Sequence, residues 1–126
     1  MAQILVIDDE ESIRQFEERV LRDAGYQVVL AADGLEALNA AEEQGPFDLF
    51  VLDVSMPHML GDELGRRLRQ RDPDVKILYL TAHTDRLFAE RPVLWEQESF
   101  VEKPVSVKGL LEAVSLALFG DTRGLP

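Results

Sequence analysis

Five short apolar runs alternate with longer segments of helical period, and this alternation restricts the chain to very few folds. Ile4-Leu5-Val6-Ile7, Tyr26–Ala31, Phe47–Leu52, Val75–Leu80 and the brief Phe100-Val101 read as strands. After the first run, Ile13, Phe16, Val20 and Leu21 mark one helical face, which Gly25 ends. Asp33 and Glu36 have the spacing of a capping box, opening a helix that carries Leu35, Leu38 and Ala41 until Gly45-Pro46 stops it. Leu60, Leu64 and Leu68 recur at helical spacing up to Asp72-Pro73. A weaker helix is expected through Leu87 and Phe88, with Pro92 ending or kinking it. Lys108 to Phe119 is helical, with Leu110, Leu111, Val114 and Leu118 inward. Five β-α units of this kind imply an α/β fold: a parallel sheet covered on both faces and linked by right-handed crossovers.

In open parallel sheets, ligands sit beyond the carboxyl ends of the strands. Asp8 and Asp9 end the first run, Asp53 the third, Thr81 the fourth, and Lys103 follows the fifth. If the first and third strands are neighbours, three carboxylates meet at one sheet edge. At ~4 Å each like-charge pair costs roughly 1–4 kcal/mol at surface-like dielectric, so the cluster calls for a cation. Magnesium suits it, because it prefers hard oxygen ligands together with phosphate and water.

Each residue has a plain reading beside a chemical one. Asp53 is a nucleophile that forms an acyl phosphate, a metal ligand, or a solvated strand-end acid. Asp8 and Asp9 are metal carboxylates or helix N-terminal acids, roles that are compatible within the pair. The backbone carbonyl of Ser55 is a further possible ligand. The Thr81 hydroxyl donates to a phosphoryl oxygen or serves a turn, and Lys103 is a point charge for Asp53 and phosphoryl oxygen or an exposed lysine. The Lys103-Pro104 bond invites a cis peptide. Met56-Pro57 and Gly61 read as structural, shaping the loop and helix approach after Asp53. Trp95 and Phe100 read as packing residues.

A length of 126 residues suits one domain. The net charge of −11 argues against nucleic acid as a direct partner. With no cysteine, disulfides and thiolate metal sites are excluded. No apolar stretch approaches the ~20 residues that cross a bilayer, so no membrane role is expected. Met1-Ala2-Gln3 leads straight into the first strand without a signal peptide, and a cytoplasmic location follows by default.

Taken together, Asp8-Asp9, Asp53 with Met56-Pro57 and Gly61, Thr81-Ala82, and Phe100-Val101-Glu102-Lys103-Pro104 resemble the receiver domain of bacterial two-component response regulators. The resemblance covers nearly the whole chain, 1–120, and leaves 121–126 as a flexible tail. It implies a flavodoxin-like, doubly wound sandwich with strand order 2-1-3-4-5. It implies that Asp53 accepts a phosphoryl group from a histidine kinase or phosphotransfer protein. Mg2+ would be held by Asp9 and Asp53, with Asp8 assisting. Thr81 and Phe100 would act as the switch pair, reporting to a downstream protein or output domain through the fourth helix, fifth strand and fifth helix, a face that also offers a homodimer contact. Ser55 and His83 flank the site and would tune dephosphorylation. Such a domain is a phosphoacceptor with limited autodephosphorylation, not a turnover enzyme.

Some positions depart from the family's commonest pattern. Phe100 replaces a frequent tyrosine, and Trp95-Glu96-Gln97-Glu98 stands where a small Gly-Ala pair is usual. The stretch Thr81-Ala82-His83-Thr84-Asp85 resembles receivers attached to hybrid histidine kinases, and the length leaves no room for an output domain, so a stand-alone receiver or a piece of a longer protein is expected. A haloacid-dehalogenase-type phosphohydrolase needs an aspartate where Ser55 stands. A nucleotide or flavin binder needs a Gly-rich loop after strand one. A receiver-like module that works without phosphorylation usually loses an acid or the lysine, and this chain keeps them all.

Overall fold

Alternate residues of the three central strands separate into two cores, one on each face of a single sheet. The computed structural model describes residues 2–53, 61–81, 98–102 and 106–120. Its strands are β1 (Gln3–Ile7), β2 (Gln27–Ala31), β3 (Leu49–Asp53), β4 (Ile77–Thr81) and β5 (Glu98–Glu102). They pair in parallel in the order β2-β1-β3-β4-β5, as the resemblance implied. The helices are α1 (Glu11–Asp23), α2 (Gly34–Gln44), α3 (Gly61–Arg71) and α4 (Val107–Phe119). The helix expected through Leu87 and Phe88, with Pro92 and Trp95, lies outside the described residues, as do Leu60 and the tail 121–126.

The period of two along a strand sorts the core. Leu5, Ile7, Phe50, Leu52, Ile77 and Tyr79 face α2 and α3, meeting Ala37, Ala40, Leu64 and Leu68. Ile4, Val6, Leu49, Val51, Leu78 and Leu80 face α1 and α4, meeting Val20, Leu21, Leu110, Val114 and Leu118. Each fully buried aliphatic side chain contributes about 1.5–3 kcal/mol. Both faces of the central strands are covered, which is why residues 4–7, 49–52 and 77–80 include no charged side chain.

Local signals set the helix ends. The carboxylate of Asp33 accepts from the Glu36 N–H at 2.9 Å, and the Glu36 carboxylate reaches back to accept from the Ala32 N–H at 3.1 Å, one residue before the N-cap. Ser106 caps α4 through the Gly109 N–H at 2.9 Å, so the helix starts at Val107, one residue ahead of the expected Lys108. At the other end Gly120 takes a left-handed φ of 78°, and Lys76 Nζ donates to the Leu118 carbonyl at 2.9 Å.

Two helical faces turn differently from the sequence reading. In α1, Glu17, Val20 and Leu21 are buried while Phe16 is 38% exposed. At 100° per residue the stripe of Glu17, Val20 and Leu21 leaves Phe16 roughly a quarter-turn off its centre. In α2, Gly34, Ala37 and Ala40 form the buried side, and Leu35 is 62% exposed. Small residues let this helix approach the sheet closely, and a leucine there would hold it away.

Close approach recurs at α3. Tyr79 is fully buried on β4, and a Cβ added at Gly65 would meet its hydroxyl well inside contact distance. Gly65 is therefore what lets a full-length tyrosine stand under the helix. We expect Gly65→Ala to lower stability by about 1–3 kcal/mol in urea unfolding. In a double-mutant cycle, Tyr79→Phe should recover part of that loss, and strict additivity of the two changes would contradict the contact.

Candidate functional site

The β1–β3 register brings the acids together. Ile7 pairs with Leu52, so the next residues, Asp8 and Asp53, stand side by side at the carboxyl edge. By the alternation of each strand they share the face of Ile4 and Val6, and of Leu49 and Val51. A slip of one residue would send one carboxylate to the opposite face.

The loop after β1 completes the cluster. The Asp8 N–H donates to the Ala31 carbonyl of β2 at 3.2 Å, prolonging the ladder past the strand. Its carboxylate accepts from the Glu10 N–H at 3.0 Å, and its carbonyl accepts from Arg14 Nη1 at 2.6 Å. Glu10 caps α1 without a side-chain bond of its own, so Asp8 takes the helix N-terminal role that the sequence left open within the pair. Asp8 and Asp53 are buried and Asp9 is exposed. One carboxylate oxygen from each of the three lies within 4.8 Å of the others.

This donor set is entirely carboxylate oxygen. It fits a small, hard divalent cation, which takes carboxylates and keeps waters or phosphate oxygens in its other positions. Two of the three carboxylates are buried, so their repulsion is less screened by solvent than on an open surface.

The remaining expected residues divide by position. Thr81 ends β4 opposite Glu102 of β5, one residue beyond the Asp53–Leu80 pair, and Phe100 sits in β5 opposite Tyr79. Only the backbone of Thr81 and Phe100 is described. Gly61 is the first residue of α3. Ser55, Met56, Pro57, His83, Lys103 and Pro104 lie outside the described residues. Arg14 was missed by sequence reasoning. Its signal was its place in the first turn of α1, six residues after Asp8, from which an arginine can reach back to the loop.

A family model described as "Response regulator receiver domain" matches residues 4–115. Sensor kinase CckA of Brucella abortus is 38% identical over 114 residues, covering 90% of this chain and 12% of that protein. The alkaline phosphatase synthesis transcriptional regulatory protein PhoP of Bacillus subtilis is 41% identical over 103 residues, covering 82% of this chain and 42% of that protein. The chain thus spans less than half the length of either relative. Among solved structures, response regulator protein TrrA of Thermotoga maritima, in complex with Mg(2+)-BeF, superposes with a TM-score of 0.82 at 34% identity, covering 94% of this chain and 100% of that one. Among the described residues, no helix is long and apolar enough to cross a membrane.

The crowding of like charge has a measurable consequence. With divalent cations chelated, Asp9→Asn should raise the urea midpoint, by about 1 kcal/mol in stability, because it removes one member of the repelling set. An unchanged or lowered midpoint would mean that the three carboxylates do not destabilise one another.

Proposed function

The chain belongs to the response regulator receiver family of two-component systems, and we propose that Asp53 is its phosphoacceptor, charged by a histidine kinase or a histidine phosphotransfer protein. The observation that carries this reading is the convergence of the Asp8, Asp9 and Asp53 carboxylates at the carboxyl edge of adjacent parallel strands. It is supported by the TrrA structure, which holds Mg(2+)-BeF on the same fold.

In the proposed step, one Asp53 carboxylate oxygen attacks phosphorus while the N–P bond of a phosphohistidine breaks. The bonding pair leaves on the imidazole nitrogen, and a proton from water restores neutral imidazole. Asp9 and Asp53 would hold Mg2+, with Asp8 assisting from its place in the loop and the Ser55 carbonyl as a further ligand. Bound Mg2+ supplies positive charge that reduces repulsion between the attacking carboxylate and the phosphoryl oxygens. Thr81 and Lys103 approach the phosphoryl oxygens, the one as a hydroxyl donor and the other as a charge. Asp53 lies on a strand buried along its whole length, which holds the attacking oxygen in one place.

Phosphorylation adds charge and acceptor oxygens beside Thr81, and Thr81 with Phe100 turns that local event into a change of face. The responding face comprises β5, α4 and the segment between β4 and β5; a downstream protein, an output domain or a second copy would read it. Ser55 and His83 set the phosphoryl lifetime by positioning or blocking water. The domain acts in the cytoplasm and turns over no external substrate.

The test is intact mass after incubation with a small-molecule phosphodonor, with and without Mg2+, beside Asp53→Asn. We expect a Mg2+-dependent gain of one phosphoryl group in the wild type and none in the variant. If neither the small donor nor a phosphorylated histidine kinase adds a phosphoryl group to a folded, Mg2+-loaded chain, the chain works as a phosphorylation-independent module instead.

A further inference from the structure

The one strongly basic patch among the described residues lies away from the carboxylates. Of the chain's 13 lysines and arginines, Arg66, Arg67, Arg69 and Arg71 crowd onto the end of α3, within a protein of net charge −11. Arg66, Arg67 and Arg71 line a groove of about 570 Å³ whose α2 side is Leu38. Arg71 also lines an adjoining cleft of about 190 Å³ walled by Phe47, Phe50, Leu68 and Val75. Its Nη1 donates to the Leu38 carbonyl at 3.3 Å, which fixes the guanidinium at the seam between the two spaces. Arg67 pairs with Glu63 at 3.1 Å, an exposed i,i+4 contact worth little and readily exchanged. Arg66 has no carboxylate partner among the described residues.

We propose that the α2–α3 groove docks a short acidic segment of a partner protein, its carboxylates on Arg66, Arg67 and Arg71 and one apolar side chain in the cleft beside Phe47. Charge complementarity selects the occupant. A cationic groove that runs into an apolar cleft matches an anionic segment carrying an apolar anchor. The rest of the acidic surface repels such a segment and so directs it to α3. A nucleic acid strand fits less well, because its backbone offers no apolar anchor for the cleft walled by Phe47, Phe50, Leu68 and Val75. The surface is separate from the phosphoacceptor edge and does not depend on that reading.

The experiment is fluorescence anisotropy of the full chain with a labelled peptide of glutamates around a single phenylalanine. Saturable binding should weaken as salt is raised. It should fall at least about tenfold in Arg66→Gln/Arg71→Gln, since arginine anchors are among the residues most costly to truncate. Arg66→Gln/Arg67→Gln, which leaves the Arg71–Leu38 contact in place, should show the same loss with unchanged thermal unfolding. Replacing the peptide's glutamates by glutamines should abolish binding. The proposal is overturned if the peptide does not bind, if it binds both variants as it binds wild type, or if an oligonucleotide competes better than the peptide. It is also overturned if the chain alone self-associates through this groove, seen as a concentration-dependent dimer that the substitutions dissolve.

Discussion

The pairing of β1 with β3 is the constraint on which the rest depends. Both strands are buried on both sides, so their register is held by two cores at once: Leu5, Ile7, Phe50 and Leu52 on one face, Ile4, Val6, Leu49 and Val51 on the other. Sliding one strand by a residue would exchange these sets and bury mismatched shapes against α1 and α2. The site is a by-product of that lock. Asp8 and Asp53 are simply the next residues after a pair that cannot move.

This arrangement opposes two energies of different size. Carboxylate repulsion costs a few kcal/mol, whereas each buried aliphatic residue beneath it returns about 1.5–3 kcal/mol. Burial beneath the site thus offsets part of the repulsion that a cation would relieve. The two edges of the sheet also use acids differently. Asp48, ahead of β3, accepts from the Gln3 N–H at 2.7 Å and donates its own N–H to the Gln3 carbonyl at 2.8 Å, which ties the entry ends of the strands together. Asp8, at the exit, holds the turn that presents Asp9.

Much of this was legible because the strands are buried on both faces. An unbroken apolar run followed by an acid is hard to misread, and the five runs lie within two residues of the five strands. The acids of the site were legible for the same reason. The helices were harder. Their period is visible, but the centre of the buried stripe depends on what the sheet offers: Glu17 is buried where Phe16 was expected, and Ala37 and Ala40 outrank Leu35 because close approach favours small side chains. Gly65 carried no local sign, since the reason for it stands fourteen positions away at Tyr79. Arg14 likewise answers to a backbone carbonyl, which no pattern of side chains reveals. The roles of Thr81, Lys103 and Phe100 came from the family resemblance and rest on it.

The bond from Lys76 to the Leu118 carbonyl gives α4 a mechanical asymmetry. The helix starts at the sheet edge that bears the carboxylates and ends at the opposite edge, where Lys76, Gly120 and the buried Leu118 hold it. A rod anchored at one end answers a push at the other by tilting about the anchor. Over thirteen residues, about 20 Å, a 1 Å displacement at Ser106 becomes a swing of about 3°. In such a tilt the displacement would grow from the Lys76 end to the Ser106 end, and the fully buried Leu110, near the first turn, would have to give way to it.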